Sequence, residues 1–377
     1  MDFSWTPEQQ ALHDSIIQRA GEELADTPSG QFWTRTQWKR CGEAGLLGLS
    51  VPQAYGGGGH DALTTAYAIE AFGRAHPDMG LIFSASAHLF ACCMPLVEYG
   101  NEDQKRRWLP GLCSGDLIGA NAITEEEAGS DVFALKTRAI RDGDSYVLQG
   151  VKSYVSNGPT ADLFLLYAST EPAHGYLGIT AFVLERNTPG IEVGSPFAKL
   201  GLSSTPAGQL RLHHCRIPAT QRIGEEGQGA QIFLQSMQWE RSCLFAAYLG
   251  QMERQLAQTV AYVRTRRQFG QALAKKQAVA HRLADMKLRL ESARLLLYRA
   301  CWLHAQGEKA QLATSLSKLA VSEAALQTAL DALHLHGSKG FNCDTGPERM
   351  LRDAIPSTLF SGTSEIQRDI IAGELGL

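Results

Sequence analysis

The clearest periodicity lies toward the C-terminal end, where Leu283, Met286, Leu290, Ala293, Leu297 and Ala300 step by three and four residues. Such positions fall on one side of a helix, and Lys287, Arg289, Glu291 and Arg294 fall off that stripe. A second helical run covers 311–334, and long helices with short connections predict a bundle. The first third also reads as helical. Thr6-Pro7-Glu8 is a start signal, a capping threonine followed by proline and an acid in the first turn. Residues 62–75 and 81–99 are rich in Ala and Leu with few breakers. Between 137 and 218 the pattern changes to short β-type runs at 145–148, 163–167, 179–184 and 210–212. Asp142-Gly143 and Asn157-Gly158 are turn signals between them. Strands this close, with no helix between, predict an antiparallel barrel or sandwich. The composition shifts near Gly119 and the helical period returns beyond Gly229. The expected organisation is mainly α with a β-domain: helical over 1–118, β over 119–228 and helical over 229–377.

Composition narrows the function classes. The 377 residues are 44% hydrophobic and 20% charged, an ordinary globular balance for two or three packed units. A net charge of −4, with no basic run longer than Arg264 to Arg267 or Lys105 to Arg107, points away from nucleic acid and anionic membranes. The eight cysteines form no C-x-x-C pair, so buried free thiols in a reducing cytoplasm are expected. No leader is expected from 1–10. No apolar run is expected to reach the ~20 residues of a membrane span.

Several clusters could carry chemistry. Residues 124–131, T-E-E-E-A-G-S-D, gather hydroxyls, a glycine and carboxylates where the helical and β regions join. They read equally as a cofactor contact and as an exposed turn. Tyr154 and Ser156 lie two apart in a β-type run, where an aromatic wall and a donor share one face; an ordinary strand end fits as well. Arg264, Arg266 and Arg267 suit a pyrophosphate or a solvated helix end. Glu240 stands in the otherwise apolar stretch 233–249, where a carboxyl is held above its usual range and suits a general base; pairing with a distant arginine is the rival reading. The glycine run 56–59 lacks the lysine of a phosphate loop and reads as a loop alone. His213-His214 and His334-x-His336 lack a third nearby ligand, so no metal site is expected.

Taken together, T-E-x-x-A-G-S-D at 124–131, K-x-Y-V-S-N-G at 152–158, R-x-Q-F-G at 266–270 and G-T-S-E-I-Q-R at 362–368 resemble the acyl-CoA dehydrogenase superfamily over nearly the whole chain. The resemblance implies an N-terminal helical domain, a central β-barrel-like domain and a C-terminal four-helix bundle. It implies FAD, in a homotetramer built from dimers that share flavin sites. By position, Ile123 and Thr124 would touch the flavin ring and Ser130 would lie where cofactor and substrate meet. Tyr154 would shield one flavin face and Ser156 would bond its N5. Arg266, Gln268 and Phe269 match a segment that reaches a neighbouring subunit's FAD. His334, Gly337 and Ser338 match a pyrophosphate and adenosine loop, and Thr363 and Glu365 would meet the cofactor from the last helix.

Two departures sharpen the reading. Most members carry a catalytic Glu immediately before G-T-S, whereas Ser361 precedes Gly362-Thr363 here. A serine hydroxyl is far too weak to take an α-proton. Some members supply Glu from the position of Glu240 instead, so the base is expected there. Glu126 also replaces a common proline in the first motif. Trp239-Glu240-Arg241 with Phe360-Ser361-Gly362 further resembles the L-prolyl-carrier-protein dehydrogenases of pyrrole antibiotic biosynthesis, with Trp239, Arg241 and Ser361 in the substrate pocket. That resemblance implies a peptidyl carrier protein bearing an aminoacyl-phosphopantetheine arm as partner, and names no electron acceptor. The implied chemistry is α-proton removal by Glu240 with hydride loss from the β-carbon, the carbonyl being held by a ribityl hydroxyl and the backbone N–H near Ser361. The competing readings are a short- or branched-chain acyl-CoA dehydrogenase using Glu240, a flavin monooxygenase of the same fold and a non-catalytic binding protein.

Overall fold

The computed structural model describes residues 4–24, 27–28, 31–343 and 345–377. Helix α1 (Pro7–Glu22) starts at Thr6, whose hydroxyl and backbone exchange hydrogen bonds with Gln9 in a reciprocal cap. Helices α2 (Arg35–Glu43) and α3 (Ala62–Ala75) follow. Asp61 caps α3, whose apolar residues are buried nearly all round. Next come α4 (Met79–His88), a π-helical turn at Leu89–Cys93 and α5 (Met94–Tyr99) in one continuous rod, then α6 (Glu102–Ser114). The rod corrects one expectation. Met79–Tyr99 spans 21 residues with mean hydropathy 1.7, long and apolar enough to cross a membrane, but 89% of that window is buried inside the protein. It is a core helix of this fold.

The strands are β1 (Gly119–Ala122), β2 (Arg138–Asp142), β3 (Ser145–Ser156), β4 (Leu163–Ser169), β5 (Ile179–Glu185), β6 (Ile191–Val193), β7 (Ala207–Pro218) and β8 (Arg222–Ile223). They pair in the order β6-β7-β3-β2-β4-β5-β8, with β1 beside β4. The antiparallel expectation holds for most pairs, yet β1 runs parallel to β4, and β2 meets β4 in parallel at Arg138 and Ser169. The strand following the first helical region therefore enters the sheet in a direction that no local turn dictates. Gly143 turns the β2–β3 hairpin at φ +61°, as the Asp142-Gly143 pair predicts.

Helices resume with α7 (Gly229–Trp239), a π-helical turn at Glu240–Leu244 and α8 (Ala246–Thr265). A two-residue hairpin, β9 (Arg267–Gln268) with β10 (Gln271–Ala272), leads to α9 (Gln277–Ala305) and α10 (Gln311–His336). Short α11 (Ser338–Phe341), α12 (Pro347–Ala354) and α13 (Ser364–Glu374) complete the chain. The stripe on α9 is buried from Met286 to Ala300, as its spacing predicts. Arg294, off that stripe, is not solvated. It bonds Glu70 of α3 and Glu253 of α8. Helices α3 and α8 approach so closely that a Cβ on Gly250 would lie 2.1 Å from the Glu70 carbonyl oxygen. The two helical regions are thereby locked together. Seven of the eight cysteines are free and buried, while Cys343 is exposed. The glycines of 56–59 form a loop fastened by Gly58 and Gly59 N–H bonds to Gly48 and Val51.

Candidate active site

Glu240 opens the π-helical turn between α7 and α8. Such turns insert a residue into a helix and re-aim its side chains. A local cause is present: the Ser242 hydroxyl donates to the Gln238 carbonyl four residues back at 2.6 Å. Glu240 is buried, and burial pushes its carboxyl above the usual range. A hydrogen bond from the Ser361 hydroxyl, and the charges of Arg241 and Lys318, pull the other way without cancelling it.

Ser361 sits in the loop before α13 with φ +57°, left-handed backbone that serine rarely adopts and that costs about 1 kcal/mol. The loop is held from both sides. Arg241 Nε donates to the Ser361 carbonyl at 2.8 Å, and Gln367 Nε2 reaches the Ser361 and Gly362 carbonyls at 3.3 and 3.2 Å. Among the described residues, the Ser361 N–H meets no protein acceptor, and the Gly362 N–H makes only the loose closure of the turn at Phe360 and Ser361. Phe360 packs against Phe83 and Phe245, at ring separations of 4.8 and 5.3 Å. The structure thus brings the Glu240 carboxylate, the Ser361 hydroxyl and the backbone donors of the 361–362 loop together. Trp239 is less open than a pocket residue: its indole N–H donates to Glu98 at 2.6 Å and its ring meets His304 edge-on.

At the helical–β junction, Glu125 and Ala128 exchange backbone hydrogen bonds, so the turn closes without the family's proline, with Glu126 at its exposed tip. Glu125 points inward. It accepts from the Lys136 and Thr137 N–H groups and from Lys152 Nζ at 2.8 Å. Lys152 Nζ also holds the Ile123 carbonyl at 2.9 Å, and Ser153 N–H holds that of Thr124 at 2.9 Å. This buried pair fastens Ile123 and Thr124 against the strand that carries Tyr154 and Ser156. The strand bulges between Lys152 and Val155, with Tyr154 at φ +58° and 61% exposed, while Ser156 is half-buried and Val155 buried between them. Ser130 is exposed nearby in sequence.

The remaining segments stand at the surface. Phe269 tips the β9–β10 hairpin at 92% exposure, flanked by exposed Arg266 and Gln268. His334, Gly337 and Ser338 are exposed at the end of α10, while His336 beside them stacks on Tyr262. Thr363 caps α13 by accepting from the Ile366 N–H at 3.3 Å, and Glu365 is exposed in its first turn. These residues fit a flavin cofactor. Tyr154 offers an open aromatic face, Ser156 a hydroxyl, and the start of α13 the buried, unpartnered Ser364 hydroxyl.

Two features escaped the sequence. Lys152 and Glu125 are conspicuous only as charged residues in otherwise β-type or turn surroundings. Lys318 lies in the Ala- and Ser-rich α10 and reads as a surface lysine; it is fully buried, with Nζ 5.3 Å over the Phe245 ring and no hydrogen-bond acceptor among the described residues.

The chain is similar to known proteins over its whole length. The acyl-CoA dehydrogenase N-terminal, middle and C-terminal domain models match residues 6–116, 120–215 and 227–376. The chain is 53% identical to an L-prolyl-peptidyl-carrier-protein dehydrogenase of Pseudomonas fluorescens, covering 100% of both chains. It is 42% identical to the enzyme of that name from a Serratia species, covering 100% of this chain and 99% of the other. A solved structure of PigA with FAD and proline superposes with a TM-score of 0.97 at 41% identity, covering 100% of both chains. The chain belongs to the acyl-CoA dehydrogenase family.

Proposed function

We propose that this chain is an FAD-dependent dehydrogenase that oxidises a prolyl group held as a thioester on a peptidyl carrier protein, yielding the pyrrolyl thioester. The carrying observation is the meeting of the Glu240 carboxylate with the Ser361 hydroxyl, which puts a base where the last motif has none. Full-length likeness to two prolyl-carrier-protein dehydrogenases supports the substrate.

Ile123, Thr124, Tyr154, Ser156, Thr363 and Glu365 would hold the flavin, with Arg266, Gln268 and Phe269 reaching a second subunit's cofactor. FAD, when bound, supplies the acceptor for hydride leaving the β-carbon. Glu240 takes the α-proton. Its buried position keeps water away and makes it a stronger base than an exposed carboxylate. The Ser361 and Gly362 N–H groups supply donors for the thioester oxygen, which gains charge as the proton leaves. Arg241 and Gln367 keep those donors in place through the loop carbonyls. A small residue at 361 leaves room for the ring. Removal of a second hydrogen pair, once an external electron acceptor has reoxidised the flavin, would complete the aromatic product. The exposed Phe269 tip supports a homotetramer, and seven buried free thiols support a cytoplasmic setting.

The test is intact-mass analysis of prolyl-loaded carrier protein after incubation with the holoenzyme. A loss of four hydrogens is expected. Glu240→Gln is expected to retain FAD and lose at least about 1000-fold in rate. An unchanged prolyl carrier beside an oxidised short acyl-CoA would replace this reading with an acyl-CoA dehydrogenase.

A further inference from the structure

Lys318 is a charged group that the chemistry above leaves unused. Its side chain is fully buried on α10, and among the described residues no acceptor bonds its ammonium. Leaving an ammonium so placed costs several kcal/mol unless charge nearby offsets it. A leucine or methionine would suit the surrounding Ala-rich helix without that cost. The ammonium faces Phe245, one residue beyond the π-helical turn that Glu240 opens, and the same ring packs on Phe360. Ser322, one turn along α10, donates to the Ser357 carbonyl at 2.9 Å, tying this helix to the segment leading into Ser361. The charges acting on Glu240 are Arg241 from its own turn and Lys318 from α10, and the Tyr167 phenol of β4 lies within its field. Those acting on Lys318 are Arg241, Glu365 and Glu240. Glu365 is the larger anionic influence but is exposed and open to screening, and Glu240 is the buried anion of the two.

We propose that Lys318 is a positioning residue for proton transfer: its buried ammonium, with the Arg241 guanidinium, holds the Glu240 carboxylate in its anionic, proton-accepting form. The proposal rests on Glu240 being the base. A carboxylate in an apolar pocket otherwise takes up a proton and can no longer accept one. The two cations oppose that uptake.

The test is the pH profile of anaerobic flavin reduction by prolyl-loaded carrier protein, using FAD-loaded enzyme. Lys318→Met and Lys318→Gln both remove the charge, so the result does not hang on one variant folding. Each is expected to move the acidic limb up by on the order of one pH unit, with FAD content unchanged. Lys318→Arg is expected to restore the limb. An acidic limb that stays in place in the FAD-loaded neutral variants overturns the proposal. Glu240→Gln is measured alongside. If it reduces flavin normally, the base assignment itself fails; if it is inert while the Lys318 variants keep the original limb, only the role of Lys318 fails.

Discussion

Lys152 and Glu125 show what a single buried charge pair does for this site. Burial raises the Glu125 carboxyl, but Lys152, Thr137 and the Lys136 N–H outweigh it, and the group ends below its usual range. Lys152 is pushed down to about 8 by burial, which the Glu125 charge only partly offsets. The hydrogen bonds favour an ionised carboxylate, since every contact made to Glu125 is a donor. Lys152→Met removes the cation and strands that carboxylate. It is expected to cost roughly 3–5 kcal/mol in urea unfolding and to loosen FAD binding. A loss below about 1 kcal/mol would show that the pair does not fasten the junction. At this scale the sequence was legible where a motif had a gap. Ser361 stood where a base belongs, and Glu240 stood alone among apolar neighbours. Lys152, by contrast, falls in step with the inward Tyr146 and Leu148 of its strand, but a lysine at such a position gives no sign of being buried until its partner Glu125, 27 residues earlier, is placed.

Among the elements, the long helices were readable because one face of each is apolar at helical spacing. The π-helical turns at Leu89–Cys93 and Glu240–Leu244 were not readable, since one inserted residue changes side-chain direction without changing composition. The parallel pairing of β1 with β4 was hidden too, because their partners lie 44 residues apart in the register Gly119–Leu163. The run 81–99 is helical as expected, but it belongs to a 21-residue rod, Met79–Tyr99, as apolar as a membrane span, because burial inside a large protein and burial in lipid demand the same apolar residues. Close helix contact gives a test here. Gly250→Ala drives a methyl into the Glu70 and Arg74 backbone. It is expected to destabilise the protein by about 1–3 kcal/mol, read as a lowered Tm, despite alanine's better helix propensity. An unchanged or raised Tm would mean that α3 and α8 can separate without loss.

At the level of the whole molecule, Asp353 joins three regions. Its carboxylate accepts from the Leu202 N–H at 2.6 Å, its carbonyl accepts from Tyr248, and Arg349 lies between it and Asp78. Burial raises its carboxyl to about 6, above the ~3.9 of an unfolded aspartate. The folded state therefore holds a proton that the unfolded state releases between those values. The stability Asp353 contributes is full below about pH 4 and is lost as pH rises through about 6. Asp353→Asn is expected to remove roughly 1–3 kcal/mol of that decline, seen by comparing urea unfolding of both proteins at acidic and neutral pH. Parallel curves for the two proteins would refute it.

The division of labour around Glu240 also bears on redesign. The proton acceptor is anchored in a helical rod, while Phe360 and Ser361 belong to a connecting loop secured through its own carbonyls. Varying the Phe360 side chain leaves that acceptor and the loop's fastening intact, whereas varying Ser361 also removes the hydroxyl that bonds Glu240. Directed evolution toward other carrier-bound rings should therefore begin with libraries at 360, where recognition can be rewritten without disturbing the hydroxyl that meets the base.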